Sequence, residues 1–90
     1  MEVAVIREIV KEIITETVEK ERGTQGIVIA GDDSLIDGGF LDSLGAIQII
    51  EALSERFEVI FYPAELSLDN FDSIDKIALF IKAKLNGDEA

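Results

Sequence analysis

Apolar residues recur at three- and four-residue steps in three stretches of the chain, residues 2–21, 43–57 and 73–85. This spacing is that of the buried face of an amphipathic helix. The run Glu58–Tyr62 is strand-like, but a single strand without a pairing partner cannot build a sheet, so we interpret it as an extended connector. Pro63 suits the first position of a short helix over residues 63–68. The pattern predicts an all-α fold with four helices, one of them short, in a single domain over residues 1–90.

Each helical stretch has apolar positions that we expect to be buried. In the first stretch they are Val3, Ile6, Val10, Ile13 and Thr17, widened by Ile9 and Ile14. In the second they are Leu44, Ile47, Ile50, Leu53 and Phe57, and in the last Ile74, Ile77, Ala78, Ile81 and Leu85. Gly23 is expected to end the first helix and Asn86-Gly87 the last, and Asp72 is expected to cap the last helix.

The segment from Gly23 to Leu41 contains five glycines and no sustained helical period. It nevertheless carries seven apolar residues: Ile27, Val28, Ile29, Leu35, Ile36, Phe40 and Leu41. A connection of this length without regular structure is uncommon unless its apolar residues pack on the helices or it serves a function. We therefore expect a long loop that is anchored to the helices.

The composition excludes several kinds of chemistry. Cysteine and histidine are both absent, which removes thiol nucleophiles, disulfides, the usual zinc ligands and the histidine base of hydrolytic triads. An EF-hand fails because Leu35 would occupy a position that requires an oxygen ligand, so no metal site is expected. Asp33 and Asp37 could form a carboxylate pair, but loop carboxylates are usually solvated, and we expect no enzyme here. Any thiol chemistry must come from a group added to the protein.

The negative charge is concentrated in one part of the chain. The net charge is −11, and residues 31–75 hold eleven acidic residues and one base, Arg56. Such a field favours association with basic protein surfaces and disfavours nucleic acid, although it could serve solubility alone. The chain contains no run of about 20 apolar residues, which is the length needed to cross a membrane. A cytoplasmic protein without membrane insertion is therefore expected. Nothing in the pattern requires more than a monomer.

A serine lies where the loop gives way to the second helical stretch, within Gly39-Phe40-Leu41-Asp42-Ser43-Leu44-Gly45. Asp42 is a good helix N-cap, because its carboxylate can accept from the free N–H groups of the first turn. Ser43 would then be the first helical residue, with its hydroxyl in solvent. A phosphodiester on that hydroxyl would lie at the positive end of the helix dipole, which is worth about 0.3–1 kcal/mol.

The Asp-Ser-Leu triplet and the order of long helix, long loop, serine-headed helix, short helix and closing helix resemble the acyl and peptidyl carrier proteins. The resemblance extends over about residues 3–85 and implies a four-helix bundle with a long loop between the first two helices and a short third helix. It also implies a 4′-phosphopantetheine group, taken from coenzyme A, on a serine in the middle of the chain. Asp33-Ser34-Leu35 repeats the triplet and Asp72-Ser73-Ile74 nearly does, but only Ser43 has the order of elements that the family requires.

Several details are similar to stand-alone D-alanyl and other aminoacyl carrier proteins. They are Leu41–Gln48, Arg56–Val59 and Asn70–Ser73. The common fatty-acid carriers have glycine and a polar or acidic residue where this chain has Phe40 and Gly45. The cargo, acyl or aminoacyl, stays open at this point.

The resemblance implies roles for individual residues. A phosphopantetheinyl transferase would modify Ser43, with Asp42 capping the helix and helping to position the donor. Leu44 would pack beneath the attachment point and offer an apolar contact. A loading ligase and downstream acyl-transfer enzymes would then visit the carrier through basic docking surfaces.

The predicted partner-binding residues are Gln48, Glu51, Glu55, Phe61 and Tyr62. Core packing is an alternative role for Phe61 or Tyr62, and a solvated charged face is an alternative for the helix residues. The alternative for the whole chain is an acidic helical interaction module that is never modified.

Overall fold

The computed structural model describes residues 1–86, and within them every regular element is helical. The elements are α1 (Val3–Arg22), α2 (Ser43–Phe57), a 3-10 turn (Pro63–Glu65), α3 (Leu68–Phe71) and α4 (Ile74–Leu85). The all-α prediction is confirmed. The predicted short helix over residues 63–68 is wrong in detail, because that region divides into the 3-10 turn and a separate four-residue α3.

Two helix ends follow local chemistry, one as expected and one differently. α1 ends at Gly23, which adopts the left-handed conformation (φ 69°) and donates its N–H to Glu19 O, as glycine after a helix commonly does. α4 is capped by Ser73, whose Oγ accepts from Lys76 N at 3.1 Å. The expected cap, Asp72, instead accepts a hydrogen bond from Ser34 Oγ. α4 ends at Leu85 with Asn86 as its C-cap, as predicted, and Gly87 lies outside the described residues.

The core centres on α1, which packs against both α2 and α4. Its fully buried side chains are Ile6, Val10, Ile14 and Val18. The predicted stripe was rotated, because Val3 is exposed and Ile13 and Thr17 are only half-buried. The buried residues of α1 are spaced four residues apart. The buried side of the helix is therefore narrower than the apolar stripe that the sequence predicts.

The buried residues of α2 have the same four-residue spacing, and they are Gly45, Ile49, Leu53 and Phe57. Gly45 permits close approach of the two helices, since a Cβ there would lie 3.0 Å from Glu21 Oε1 and 3.2 Å from Leu41 Cδ2. The predicted burial of Leu44 and Ile47 is wrong, because both side chains are more than half exposed.

The loop between α1 and α2 is anchored at several points, as predicted. Its side chains Ile29, Leu35 and Leu41 are buried in the core. The Glu19 carboxylate accepts from the backbone N–H groups of Gly26 and Ile27. Further along, Leu35 N donates to Asp72 O at 2.7 Å. The loop is thereby held to α1 at one end and to the start of α4 at the other.

An aromatic cluster fastens the segment after α2 to α4. The rings of Phe61, Phe71 and Phe80 lie 5.3–6.0 Å apart between centroids. Lys84 Nζ lies 5.3 Å from the centroid of the Phe80 ring and 2.9 Å from the carboxylate of Glu65. Cation–π contacts and the ion pair thus hold the 3-10 turn against the last helix.

The ion pair predicts an acid-sensitive contribution to stability. Hydrogen bonds from Tyr62 N and Lys84 Nζ lower the pKa of Glu65 below its ordinary value of 4.5. Because the lowered pKa belongs to the folded state, the stabilisation is present above pH 4.5 and is lost as the pH falls through the lowered pKa. Glu65→Gln should therefore melt at a lower temperature than the wild type at pH 7, and the two melting curves should converge in acid. Glu12→Gln, on the exposed side of α1, is the control and should show no such convergence.

The end of α2 predicts a stabilising substitution. Glu58 is the C-cap and has a positive φ of 55°, the one non-glycine residue with this conformation within residues 1–86. A left-handed conformation costs a residue with a Cβ about 1 kcal/mol. Glu58→Gly should raise the free energy of unfolding by up to about that amount, measured by denaturant titration. Glu58→Ala removes the carboxylate but keeps the Cβ, and an equal gain in that variant would contradict the conformational explanation.

Candidate functional site

Ser43 is the first residue of α2 and is exposed to solvent. Asp42 is the N-cap, as predicted, and its Oδ1 accepts from Gly45 N at 2.8 Å. The first backbone bond of the helix runs from Ala46 N to Asp42 O. Asp42 therefore fulfils the capping role, and the Ser43 side chain is not needed for it.

The backbone leading to Ser43 is held firmly. Phe40 N and Leu41 N both donate to Leu35 O, at 3.0 and 2.9 Å. The guanidinium of Arg22 donates to Gly39 O and lies over the Phe40 ring, 5.6 Å from its centroid. Arg22 is the last residue of α1, so the end of that helix positions the start of α2. These contacts were not predicted, because nothing local in the sequence pairs Arg22 with residues 39–40.

The three serines that follow an aspartate and precede leucine or isoleucine, Ser34, Ser43 and Ser73, have different surroundings. Ser34 is half-buried, and its Oγ donates to Asp72 Oδ1 at 2.9 Å and accepts from Asp37 N. Ser73 is 4% exposed and caps α4. The Ser43 hydroxyl is exposed and makes no hydrogen bond to the described part of the chain. Of the three, Ser43 alone presents a free oxygen to a reaction partner.

The outer face of α2 combines apolar and acidic side chains. Leu44 is 61% exposed and Ile47 is 54% exposed. Leu44 therefore does not pack beneath Ser43 as expected, but projects outward beside it. Gln48, Glu51, Glu55 and Arg56 of α2 are exposed as well. Positions 44, 48, 51 and 55 share a helix face because they are three or four residues apart.

The two aromatic residues predicted to contact partners have different surroundings. Phe61 is half-buried in the aromatic cluster, which matches the alternative of core packing. Tyr62 is 59% exposed, and its ring centroid lies 5.5 Å from Lys84 Nζ. Phe61 borders Ser54 and Glu55, about three helical turns from Ser43 along α2. The structure thus places the two aromatics at the far end of α2 from the serine.

An apolar cavity of about 190 Å³ lies between the loop, α2 and the segment before α4. Its lining comprises Leu35, Ile36, Leu41, Ala46, Ile49, Ile50, Leu66, Ser67, Phe71 and Ile77. Sequence reasoning missed this cavity, because its walls come from four segments that are distant in sequence. The small side chain of Ala46, three residues after Ser43, was a local signal of this space.

The loop carboxylates Asp33 and Asp37 have different surroundings. Asp33 Oδ2 accepts from Ala30 N at 2.9 Å and so stabilises its own turn. Asp37 is exposed.

In residues 1–86, no helix has the length and apolar content needed to span a bilayer.

The surroundings of Ser43 fit a phosphopantetheine group. The hydroxyl is exposed and lies at the positive end of the α2 dipole, next to the exposed side chain of Leu44. Residues 4–81 match the family model described as a phosphopantetheine attachment site.

Named relatives and solved structures agree with this match. The D-alanyl carrier protein of Lactococcus lactis subsp. lactis is 31% identical over 74 residues, which are 82% of this chain and 94% of the relative. The holo acyl carrier protein of Nitrosomonas europaea has a similar fold, with a TM-score of 0.62 at 24% identity over 96% of this chain and 99% of that one.

A second similar fold occurs in the crystal structure of a Bradyrhizobium japonicum glycine:[carrier protein] ligase complexed with glycylated carrier protein. Its TM-score is 0.68 at 19% identity, covering 81% of this chain and 93% of that one. The chain therefore belongs to the phosphopantetheine-binding carrier proteins, which bear 4′-phosphopantetheine and carry a cargo instead of catalysing a reaction on it.

Proposed function

We propose that Ser43 is the attachment residue and that the chain is an aminoacyl carrier of the cytoplasm. The observation that carries the assignment of Ser43 is its free, exposed hydroxyl at the head of a capped helix, in contrast to the engaged hydroxyls of Ser34 and Ser73. A phosphopantetheinyl transferase moves the group from coenzyme A to the Ser43 oxygen. When bound, the group supplies a thiol that this cysteine-free chain lacks, and the thiol holds the cargo as a thioester.

The residues around Ser43 have distinct tasks. Asp42 holds the first turn by accepting from Gly45 N, and its charge helps to position the donor in the transferase complex. The N–H groups of that turn favour the phosphodiester once it is formed. The exposed Leu44 offers an apolar contact to the enzymes that approach Ser43. Arg22 and Phe40 restrict the backbone that precedes Asp42, so the hydroxyl is presented from a fixed position.

The cargo is proposed from the relatives. D-alanyl carrier proteins are similar to this chain over most of its length, and one structural neighbour was solved as a glycylated carrier with its ligase. A small amino acid, loaded by a ligase and passed to a downstream acyl-transfer enzyme, is the cargo that these relatives favour. The carrier is proposed to act as a monomer formed by one domain over residues 1–90.

The docking surface is proposed to be the outer face of α2, with Gln48, Glu51 and Glu55, continued by Phe61 and Tyr62. The three helix residues are exposed, and the surrounding region is strongly acidic. Basic partner surfaces would be attracted to it, which chiefly raises the rate of encounter and weakens as salt is added.

Modification of one serine is the direct test of this function. The purified protein, incubated with coenzyme A and a broad-specificity transferase, should gain the mass of one phosphopantetheine group. Ser43→Ala should gain none, whereas Ser34→Ala and Ser73→Ala should still be modified, because their hydroxyls have structural roles. Unchanged mass in the wild type, with the transferase active on a known carrier, would instead favour an unmodified interaction module.

Substitutions of Asp42 can distinguish the effect of its capping hydrogen bond on stability from the effect of its charge on modification. Asp42→Ala should lower the free energy of unfolding by about 1 kcal/mol, because the hydrogen bond to Gly45 N is lost. Asp42→Asn keeps a capping oxygen and should retain nearly all of the stability, yet it should be modified more slowly if the charge positions the donor. Equal modification rates in Asp42→Asn and wild type would limit Asp42 to the capping role. Denaturant titration and intact-mass time courses measure the two effects.

A further inference from the structure

An open depression between the end of α1 and the start of α2 has a base in its wall. Its volume is about 620 Å³, and it is lined by Glu21, Arg22, Gly39, Phe40, Leu41 and Asp42. Among these six residues, all within the described part of the chain, Arg22 is the one base. Ser43 is exposed and follows Asp42 directly. The depression therefore places a guanidinium in the same surface feature as the residue next to Ser43.

The Arg22 guanidinium has donors and charge that the protein does not use. Its Nη2 donates to Gly39 O, and the group lies over the Phe40 ring, 5.6 Å from the ring centroid. A guanidinium has five N–H groups, and within residues 1–86 neither Nε nor Nη1 of Arg22 has an acceptor. The two ion pairs in that part of the chain join other residues. Arg22 is thus held by two contacts and is still able to bind an anion.

The group proposed for Ser43 would add a negative charge to acidic surroundings. A phosphodiester is an anion, and residues 31–75 already hold eleven acidic residues and one base. Two carboxylates lie at the first turn of α2, because Asp42 caps the helix and a Cβ on Gly45 would lie 3.0 Å from Glu21 Oε1. A neighbouring cation offsets the repulsion among these charges. Arginine is well suited to this, because its planar fork of N–H groups matches the oxygens of a phosphate.

We propose that Arg22 binds the phosphodiester of the prosthetic group on Ser43 once the chain has been modified. This inference rests on the proposed function, because Ser43 must carry the group. Arg22 keeps its hydrogen bond to Gly39 O and donates to a phosphate oxygen through its remaining N–H groups. The Phe40 ring restricts the guanidinium before modification, which lowers the entropy that is lost when the phosphate is bound. Arg22 thereby holds the attached end of the prosthetic group against the end of α1.

Phosphorus NMR of the modified protein tests this contact directly. In the folded wild type the phosphorus chemical shift should differ from that of the same protein unfolded in urea, where Arg22 no longer contacts the phosphate. Arg22→Gln should move the folded-state shift toward the unfolded value, and Arg22→Lys, which keeps the charge but not the fork, should move it less. The matched control is Lys20→Gln, which removes the same charge from an exposed residue that lines a different depression. It should leave the shift unchanged.

The stabilities of the unmodified and modified proteins separate phosphate binding from the structural role of Arg22. Arg22→Gln should destabilise the unmodified protein, because the contacts with Gly39 and Phe40 are lost. In the modified protein the same substitution should raise the unfolding equilibrium constant by a further factor of about three, as expected for an exposed ion pair. This extra factor should shrink as salt is added. Lys20→Gln should show no extra factor.

Three results would overturn the proposal. They are an unchanged phosphorus shift in the Arg22 variants, an equal destabilisation of both forms by Arg22→Gln, and an extra factor of the same size in Lys20→Gln. Arg22→Lys supplies modified protein for both measurements where the transferase accepts Arg22→Gln poorly. Modification of Ser43 in the wild type would still occur in all of these cases. A wild type that is never modified would contradict the proposed function instead.

Discussion

The packing of α1 against α2 and α4 is the contact on which the rest of the structure depends. The buried side chains Ile6, Val10, Ile14 and Val18 of α1 pack against the buried side of α2. Gly45 of α2 allows the two helices to approach closely next to Glu21. Once these side chains of α1 are buried, the rotation of α2 about its axis is set. Leu44 and Ile47 must then face outward, and the free hydroxyl of Ser43 is presented at the helix start.

The loop converts this packing into a defined attachment site. Hydrogen bonds to Leu35 O and the contact of Arg22 with Gly39 and Phe40 fix the chain just before Asp42. Asp42 and Ser43 have different roles, because the Asp42 carboxylate accepts the hydrogen bond from the first turn of α2 and the Ser43 hydroxyl is not needed for it. A rigid scaffold that carries one unengaged hydroxyl suits a protein whose reactive group is added afterwards and whose partners must find it repeatedly.

Much of the fold could be predicted because it follows from local rules. The period of apolar residues locates α1, α2 and α4 to within one residue at each end that the structure describes, and Gly23 and Asp42 mark their boundaries by their own chemistry. The errors arose where neighbours distant in sequence decide the outcome. Asp72 and Ser73 are both good caps, and Ser73 caps α4 while Asp72 binds Ser34 across the bundle. The region after Pro63 forms the 3-10 turn and the short α3, and contacts of Glu65 with Lys84 and of Phe61 with Phe80 hold it against α4.

The amino-acid sequence by itself determined the class of fold, the order of the helices, the acidic character of the middle of the chain and the head position of Ser43. These depend on spacing, capping and charge, which are properties of neighbouring residues. Only the tertiary structure decided which side of each helix is buried, since a stripe broad enough to cover half a helix permits several rotations. It also decided that Ile60 is exposed near Glu51 and Glu55, because the connector after α2 is hydrogen-bonded back to Ser54 of that helix.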